Sequence, residues 1–375
     1  MKQQENKMKL TFKLSIVALA LSVAACSDND DSTPVVEETI VEENQVSEYG
    51  PFATGTTSSP VTVYFDLDTG TKLDITDEDA ATNTSWDIAF KRTNVYLNSH
   101  ADNSVQMYFV GNNAEFYSED GSADIDMFTT ATAETELEDY EAVTYSDIPS
   151  DDTVWQQDVT EQILAGFYNY DSSTHQVSAA ADKYYVVQSD SEFTKFRVSE
   201  LVQAGFSMSS ITFAVQHQAE GEQAFAQEQS FTLDLAMLCA SSDFVYVDLQ
   251  SQLEVTAEDS YDVMLTCATG GADFDLTLAE TATAIQDFAN VHTGISAAAA
   301  PHYGFQSNEY TVKAFSSAPW YSYNLQGGHL LWSQYGVYII KTTDGYHKLQ
   351  ITSYYNEDGE SGNYSFRADA LTDDQ

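Results

Sequence analysis

The chain has 375 residues, 43% hydrophobic and 13% aromatic, enough for one or two full cores, and ordinary domain size favours two. Its 14 Lys+Arg against 59 Asp+Glu give a formal net charge of -45, which excludes nucleic acid and electrostatic docking on anionic lipid, since both need clustered basic residues. Solubility in a salty exterior accounts for most of this acidity, and calcium on carboxylate-rich loops is the sharper alternative.

Residues 1–25 read as an export signal: Lys9 and Lys13 precede an apolar run from Leu14 to Ala25 that is too short to span a bilayer. Leu21-Ser-Val-Ala-Ala-Cys26 resembles a lipobox, which implies that Cys26 is acylated and becomes the mature N-terminus. Acyl chains anchor at about 0.8 kcal/mol per buried methylene. Ser27 follows Cys26 in place of the Asp that retains lipoproteins at the inner membrane, so the outer membrane is expected, on its periplasmic or cell-surface side. From Ser27 to Glu48 there are eight acidic residues and no Lys or Arg, so 26–58 is assigned as a disordered tether.

Period-two alternation then dominates. Val61 to Leu67 places Val61, Val63, Phe65 and Leu67 on one face, Asp68-Thr69-Gly70 turns the chain, and Lys72 to Ile75 returns it. Trp86, Ile88 and Phe90 alternate again, and Val95 to Asn98 and Val105 to Phe109 continue the sheet. The best helical signal is Thr153 to Leu164, with Trp155, Val159 and Ile163 on one face, and Thr281 to His292 is a second short candidate.

A long-period repeat organises the rest. Phe167-Tyr-Asn-Tyr170, Tyr184-Tyr-Val-Val187, Lys195-Phe-Arg-Val198 and Ile211-Thr-Phe213 recur 153 positions later as Trp320-Tyr-Ser-Tyr323, Val337-Tyr-Ile-Ile340, Lys348-Leu-Gln-Ile351 and Tyr364-Ser-Phe366. Constant spacing over several landmarks indicates two copies of one domain, 59–222 and a more divergent 223–375. In the second copy Phe244 to Leu249 corresponds to the Tyr64–Leu67 strand and Tyr261-Asp262 to Trp86-Asp87, with a connection seven residues shorter.

Val63-Tyr-Phe-Asp-Leu-Asp-Thr-Gly70, Trp86-Asp-Ile-Ala-Phe-Lys-Arg92 and Asn98-Ser99 resemble the opening of the HmuY family of haem-binding surface lipoproteins. Val337 to Asn356, with Gly359 to Phe366, resembles that family's closing strands. The resemblance implies a mostly β chain: two tandem antiparallel β-sheet domains of HmuY-like type with a few short helices. It also implies capture of haem outside the cell and delivery to an outer-membrane receptor of the TonB-dependent class, with no catalysis. The Trp-Asp motif and the strands are scaffold and bind no iron.

Haem capture needs axial ligands of the His, Met, Tyr or Cys type in an apolar pocket. His175 lies five residues beyond Tyr170 and His329 six beyond Tyr323, each in the loop before a long apolar strand; packing on Tyr rings is the bland alternative for either. His100, close to Met107 in sequence, completes the set of axial candidates. His292 reads as a core residue on its helix that would approach His302 if the Ala-rich loop folds back, and His217 and His347 as surface positions on alternating strands. Cys239 and Cys267 are either a disulfide or two buried thiols. Asn356 to Asn363 carries a Gly and alternating oxygens but lacks the ligand spacing of an EF-hand, so it reads as a β-turn.

No Gly-x-Ser-x-Gly, His-Glu-x-x-His, phosphate loop or Cys-x-x-Cys is present, so an enzyme is not expected. The other reading on the same scaffold is a non-catalytic surface module that binds a glycan, a peptide or a partner protein through aromatic residues.

Overall fold

The computed structural model describes residues 46–99, 104–189, 191–205, 207–267 and 274–373. The signal segment, Cys26 and most of the tether lie outside the described residues, as does His100. No helix among the described residues is long and apolar enough to cross a membrane.

The chain is mostly β, as its alternation requires, and builds two lobes, each a five-stranded antiparallel sheet facing a four-stranded one. In the outer lobe the larger sheet runs Glu48–Ala53, Ser361–Ala370, Tyr346–Tyr355, Val337–Lys341, Gln106–Phe109. The smaller runs Thr71–Leu73, Val63–Asp66, Ile88–Lys91, Asn94–Leu97. Between them Phe65, Ile88 and Phe90 pack on Tyr338, Ile351 and Phe366, all essentially buried. In the inserted lobe the larger sheet runs Gln229–Asp234, Ser207–Gln218, Glu192–Ala204, Tyr185–Ser189, Thr283–Gln286. The smaller runs Leu253–Val255, Phe244–Asp248, Val263–Thr266, Leu276–Leu278. Phe196, Phe213, Val247 and Leu265 meet in that core.

The sequence copies and the lobes are therefore different divisions of the chain. Each copy splits into an opening and a closing half, and each lobe joins the opening half of one copy to the closing half of the other. Gln106–Phe109 of the first copy pairs with Val337–Lys341 of the second, and Thr283–Gln286 of the second with Tyr185–Ser189 of the first. The exchange is reciprocal at the other edge, where Glu48–Ala53 pairs with Ser361–Ala370 and Gln229–Asp234 with Ser207–Gln218. The halves are linked by Val159–Gln162 and Glu309–Val312, which pass each other as an antiparallel pair. The expected independent domains 59–222 and 223–375 are thus interlocked, although the turn at Ala219–Glu222 does separate the copies.

Four local expectations change. Glu48–Ala53, placed in the tether for its acidity, is an edge strand, with Tyr49 packed on Phe65 and Phe366. Thr153 to Leu164 is not a helix: a 3-10 turn over Asp152–Val154 precedes the crossing strand Val159–Gln162. Thr281 to His292 forms the edge strand Thr283–Gln286 in place of a helix. His347 is buried in the outer lobe, its Nε2 2.8 Å from Asp68 Oδ1, which also accepts the Thr342 hydroxyl at 2.9 Å. Cys239 and Cys267 form a disulfide in the inserted lobe, with Cα atoms 5.4 Å apart.

Candidate haem-binding site

The Trp-Asp position is structural in both copies. Asp87 accepts the Leu67 N–H at 2.8 Å, and Asp262 accepts the Leu249 N–H at 2.8 Å. Each fixes the turn after the first strand of its small sheet, and the backbone N–H groups of the two aspartates return bonds of 2.9 Å to Phe65 and Val247. Burial pushes the Asp87 carboxyl up to about 7 and raises Asp262 as well. Asp66, Asp68 and Asp87 lie close enough to hold a cation together. However, Asp68 is engaged by His347 and Thr342, and Asp87 by the backbone. In the Asn356–Asn363 turn, Asn356 Oδ1 takes the N–H groups of Asp358 and Glu360 at 3.1 and 2.8 Å, so its oxygen serves the turn and the calcium reading gains nothing.

The two histidines singled out by spacing have the same local structure. His175 closes the hairpin of Tyr168–Asp171 and Gln176–Ala179, and His329 that of Tyr321–Tyr323 and Leu331–Ser333. Both are exposed. Both adopt left-handed backbone, φ 56° and 59°, which costs a non-glycine residue on the order of 1 kcal/mol or more. His175 Nδ1 lies 2.6 Å from Tyr170 Oη, and His329 Nδ1 2.5 Å from Tyr323 Oη. In the tautomer whose Nδ1–H donates to the phenol oxygen, the Nε2 lone pair is left free, as in metal-ligating histidines oriented by a second hydrogen bond. The phenols that hold them, Tyr170 and Tyr323, are themselves 53% and 54% exposed.

Around His329 the outer lobe adds a concavity and a cationic group. His329 borders a concavity of about 300 Å³ with Arg92, Leu331, Tyr354 and Tyr355. The Arg92 guanidinium stands 5.6 Å from the Tyr354 ring centroid and bonds Gly55 O and Ser361 Oγ. In this strongly acidic chain no carboxylate of a described residue lies within ion-pair distance of it. The Tyr355 hydroxyl accepts the Leu331 N–H at 3.0 Å, locking the hairpin to the long strand beneath. At His175 the corresponding lock is Gln203, which accepts from Val177 N and donates to His175 O.

The other candidates are placed elsewhere. Met107 is completely buried in the outer core, its backbone paired with Gln156 at 2.7 and 2.9 Å, so it is a core residue and not an axial ligand. His292 packs edge-on to Tyr303 and gives its carbonyl to the buried Lys195, whereas His302 is exposed in a 3-10 turn. His217 is half-buried, its Nδ1 3.3 Å from Thr194 Oγ1. His175 and His329 sit on hairpins of different lobes. Arg92 was missed by the sequence reading because the opening motif presents it as scaffold.

Among curated proteins none matches the chain. Several solved structures align with it. One from Bacteroides vulgatus, provisionally described as an HmuY-like heme binding protein, is 10% identical, covers 43% of this chain and 91% of its own, and has a TM-score of 0.15. The apo HmuY analog of Tannerella forsythia is 17% identical, covers 34% and 89%, and scores 0.16. A provisional lipoprotein from Bacteroides fragilis is 12% identical, covers 45% and 91%, and also scores 0.16. The family model described as HmuY protein matches residues 58–214. That match takes in strands of both lobes, from Val63–Asp66 of the outer one to Glu192–Ala204 of the inserted one.

Proposed function

We propose that the protein is an outer-membrane lipoprotein, anchored through Cys26, that captures haem without transforming it and passes it to an outer-membrane receptor of the TonB-dependent class. The observation that carries this reading is the Tyr323–His329 pair beside Arg92. His329 Nε2 supplies one axial nitrogen to the haem iron, and Arg92 meets a propionate with its fixed fork of donors. Leu331, Tyr354 and Tyr355 line the cavity beside it and give the ring an apolar and aromatic wall. The Tyr170–His175 pair offers a second, weaker ligand in the inserted lobe, because no arginine is placed there by the equivalent strands. An acidic surface suits such a carrier: it repels anionic lipid and leaves the single arginine of the site as the local attraction for a propionate.

The test is an absorption titration of the purified protein with haemin. The wild type develops a shifted Soret band, His329→Ala weakens it more than His175→Ala, and Arg92→Gln lowers affinity while keeping the band position. An unchanged haemin spectrum with folded protein contradicts the proposal.

A further inference from the structure

A further cavity on the outer lobe shares no residue with the His329 concavity. It holds about 380 Å³ on the outer face of the small sheet. Its floor follows from one row of cross-strand neighbours: Tyr64 pairs with Ala89, and Ala89 with Tyr96. A small side chain between two rings leaves a trough, and Trp86, edge-on to Tyr64 at 5.1 Å between centroids, makes its end wall. Thr160 and Thr311, directly opposite each other on the two crossing strands, close the far side. The exchange of halves between the copies therefore helps to make this cavity.

The polar groups around it are fixed and balanced. Asp77 pairs with Lys91 at 2.8 Å and accepts the Tyr64 hydroxyl at 3.0 Å. Asp158 is buried, its two oxygens taking the N–H groups of Leu97 at 3.1 Å and Ala314 at 2.9 Å. Lys313 stands over the Tyr96 ring and contributes an opposing charge toward Asp158. Two carboxylates thus face two ammonium groups, so the site as a whole favours an uncharged guest. Aromatic walls, hydroxyls on the rim and carboxylate oxygens with lone pairs to spare match one molecule type: a ring with an apolar C–H face and several hydroxyls at its edge.

We infer that this cavity binds a neutral pyranose-sized sugar, either free or as the terminal residue of a glycan. The inserted lobe supplies a natural control. There the equivalent row is Tyr246, Met264 and Thr277: Met264 stands where Ala89 leaves the trough, and the second ring is missing. The site therefore belongs to the outer lobe alone.

Saturation-transfer NMR and calorimetry on the whole protein, with the methyl pyranosides of glucose, galactose, mannose and N-acetylglucosamine and with their oligosaccharides, test the inference. At least one sugar binds saturably, and tighter binding of the oligosaccharide identifies a glycan as the source. Thr160→Trp, which fills the mouth from an exposed strand, weakens binding roughly tenfold or more while the melting temperature and the haemin titration stay unchanged, and Ala89→Met, which imports the residue of the other lobe, weakens it as much with the haemin titration unchanged. Binding by none of the sugars, or binding indifferent to both substitutions, overturns it.

Discussion

If the lobes exchange halves, cutting the folded chain between its sequence copies should not separate them. The turn at Ala219–Glu222 is exposed, with Gly221 at φ 86°, and accepts an inserted protease site between Glu220 and Gly221. After cleavage each fragment still holds half of both cores. In the outer lobe alone the first fragment buries Val63, Phe65, Leu67, Ile88, Phe90, Val95 and Leu97 against strands of the second. At about 1.5–3 kcal/mol per large apolar side chain, that face contributes on the order of 10–20 kcal/mol. This is comparable to the whole stability of an ordinary domain. The inserted lobe adds a similar face, and five strand pairs also cross between fragments, at Gln106–Phe109, Glu48–Ala53, Thr283–Gln286, Gln229–Asp234 and Glu309–Val312. The nicked protein should therefore elute from a sizing column as one species with the retention of the intact chain, and part only in denaturant. Two separate folded peaks in native buffer would refute the exchange and restore independent tandem domains.

Two further outcomes follow from the polar interior. Lys195 is buried against Asp287 Oδ2 and Asn290 Oδ1, both at 2.6 Å, and His292 O at 2.8 Å, so Lys195→Met strands a buried carboxylate and should cost about 3–5 kcal/mol in urea unfolding. Its counterpart Lys348 donates to the carbonyls of Tyr140 and Val143, and Lys348→Met should cost less, about 1–3 kcal/mol; equal losses would contradict the distinction. Asp87 has its carboxyl raised from 3.8 to about 7 by burial, so the folded state binds that proton more tightly than the unfolded chain. The resulting stability is fully present below about 4 and is lost as pH rises through about 7. Asp87→Asn, which keeps an acceptor for the Leu67 N–H, should flatten the melting-temperature profile across that window; an unchanged slope would assign the dependence to other groups.

Strand content and the antiparallel sheets were legible in the sequence because they depend on local alternation. The exchange of halves was not. An apolar face such as Phe65, Ile88 and Phe90 reads the same whichever copy's closing strands cover it, and periodicity carries no partner identity. The supposed helix at Thr153 to Leu164 failed for the same reason. Trp155 packs on Tyr108 and Tyr346 in the outer lobe, Val159 is exposed, and Ile163 enters the inserted core, so the helical spacing joined residues that serve three different environments. His347 looked like a surface residue because Asp68, its partner, is 279 positions away. Met107 was read as a ligand by its chemistry, whereas the inward side of its strand decides that it is core.

The central claim rests on His329, and haemin titration of the whole protein with the single and double histidine variants measures it most directly. The account predicts a saturable Soret shift for the wild type, a larger loss in His329→Ala than in His175→Ala, and no shift when both are replaced in a protein that keeps its melting temperature. A shift that survives the double substitution, or none in the wild type, would contradict it.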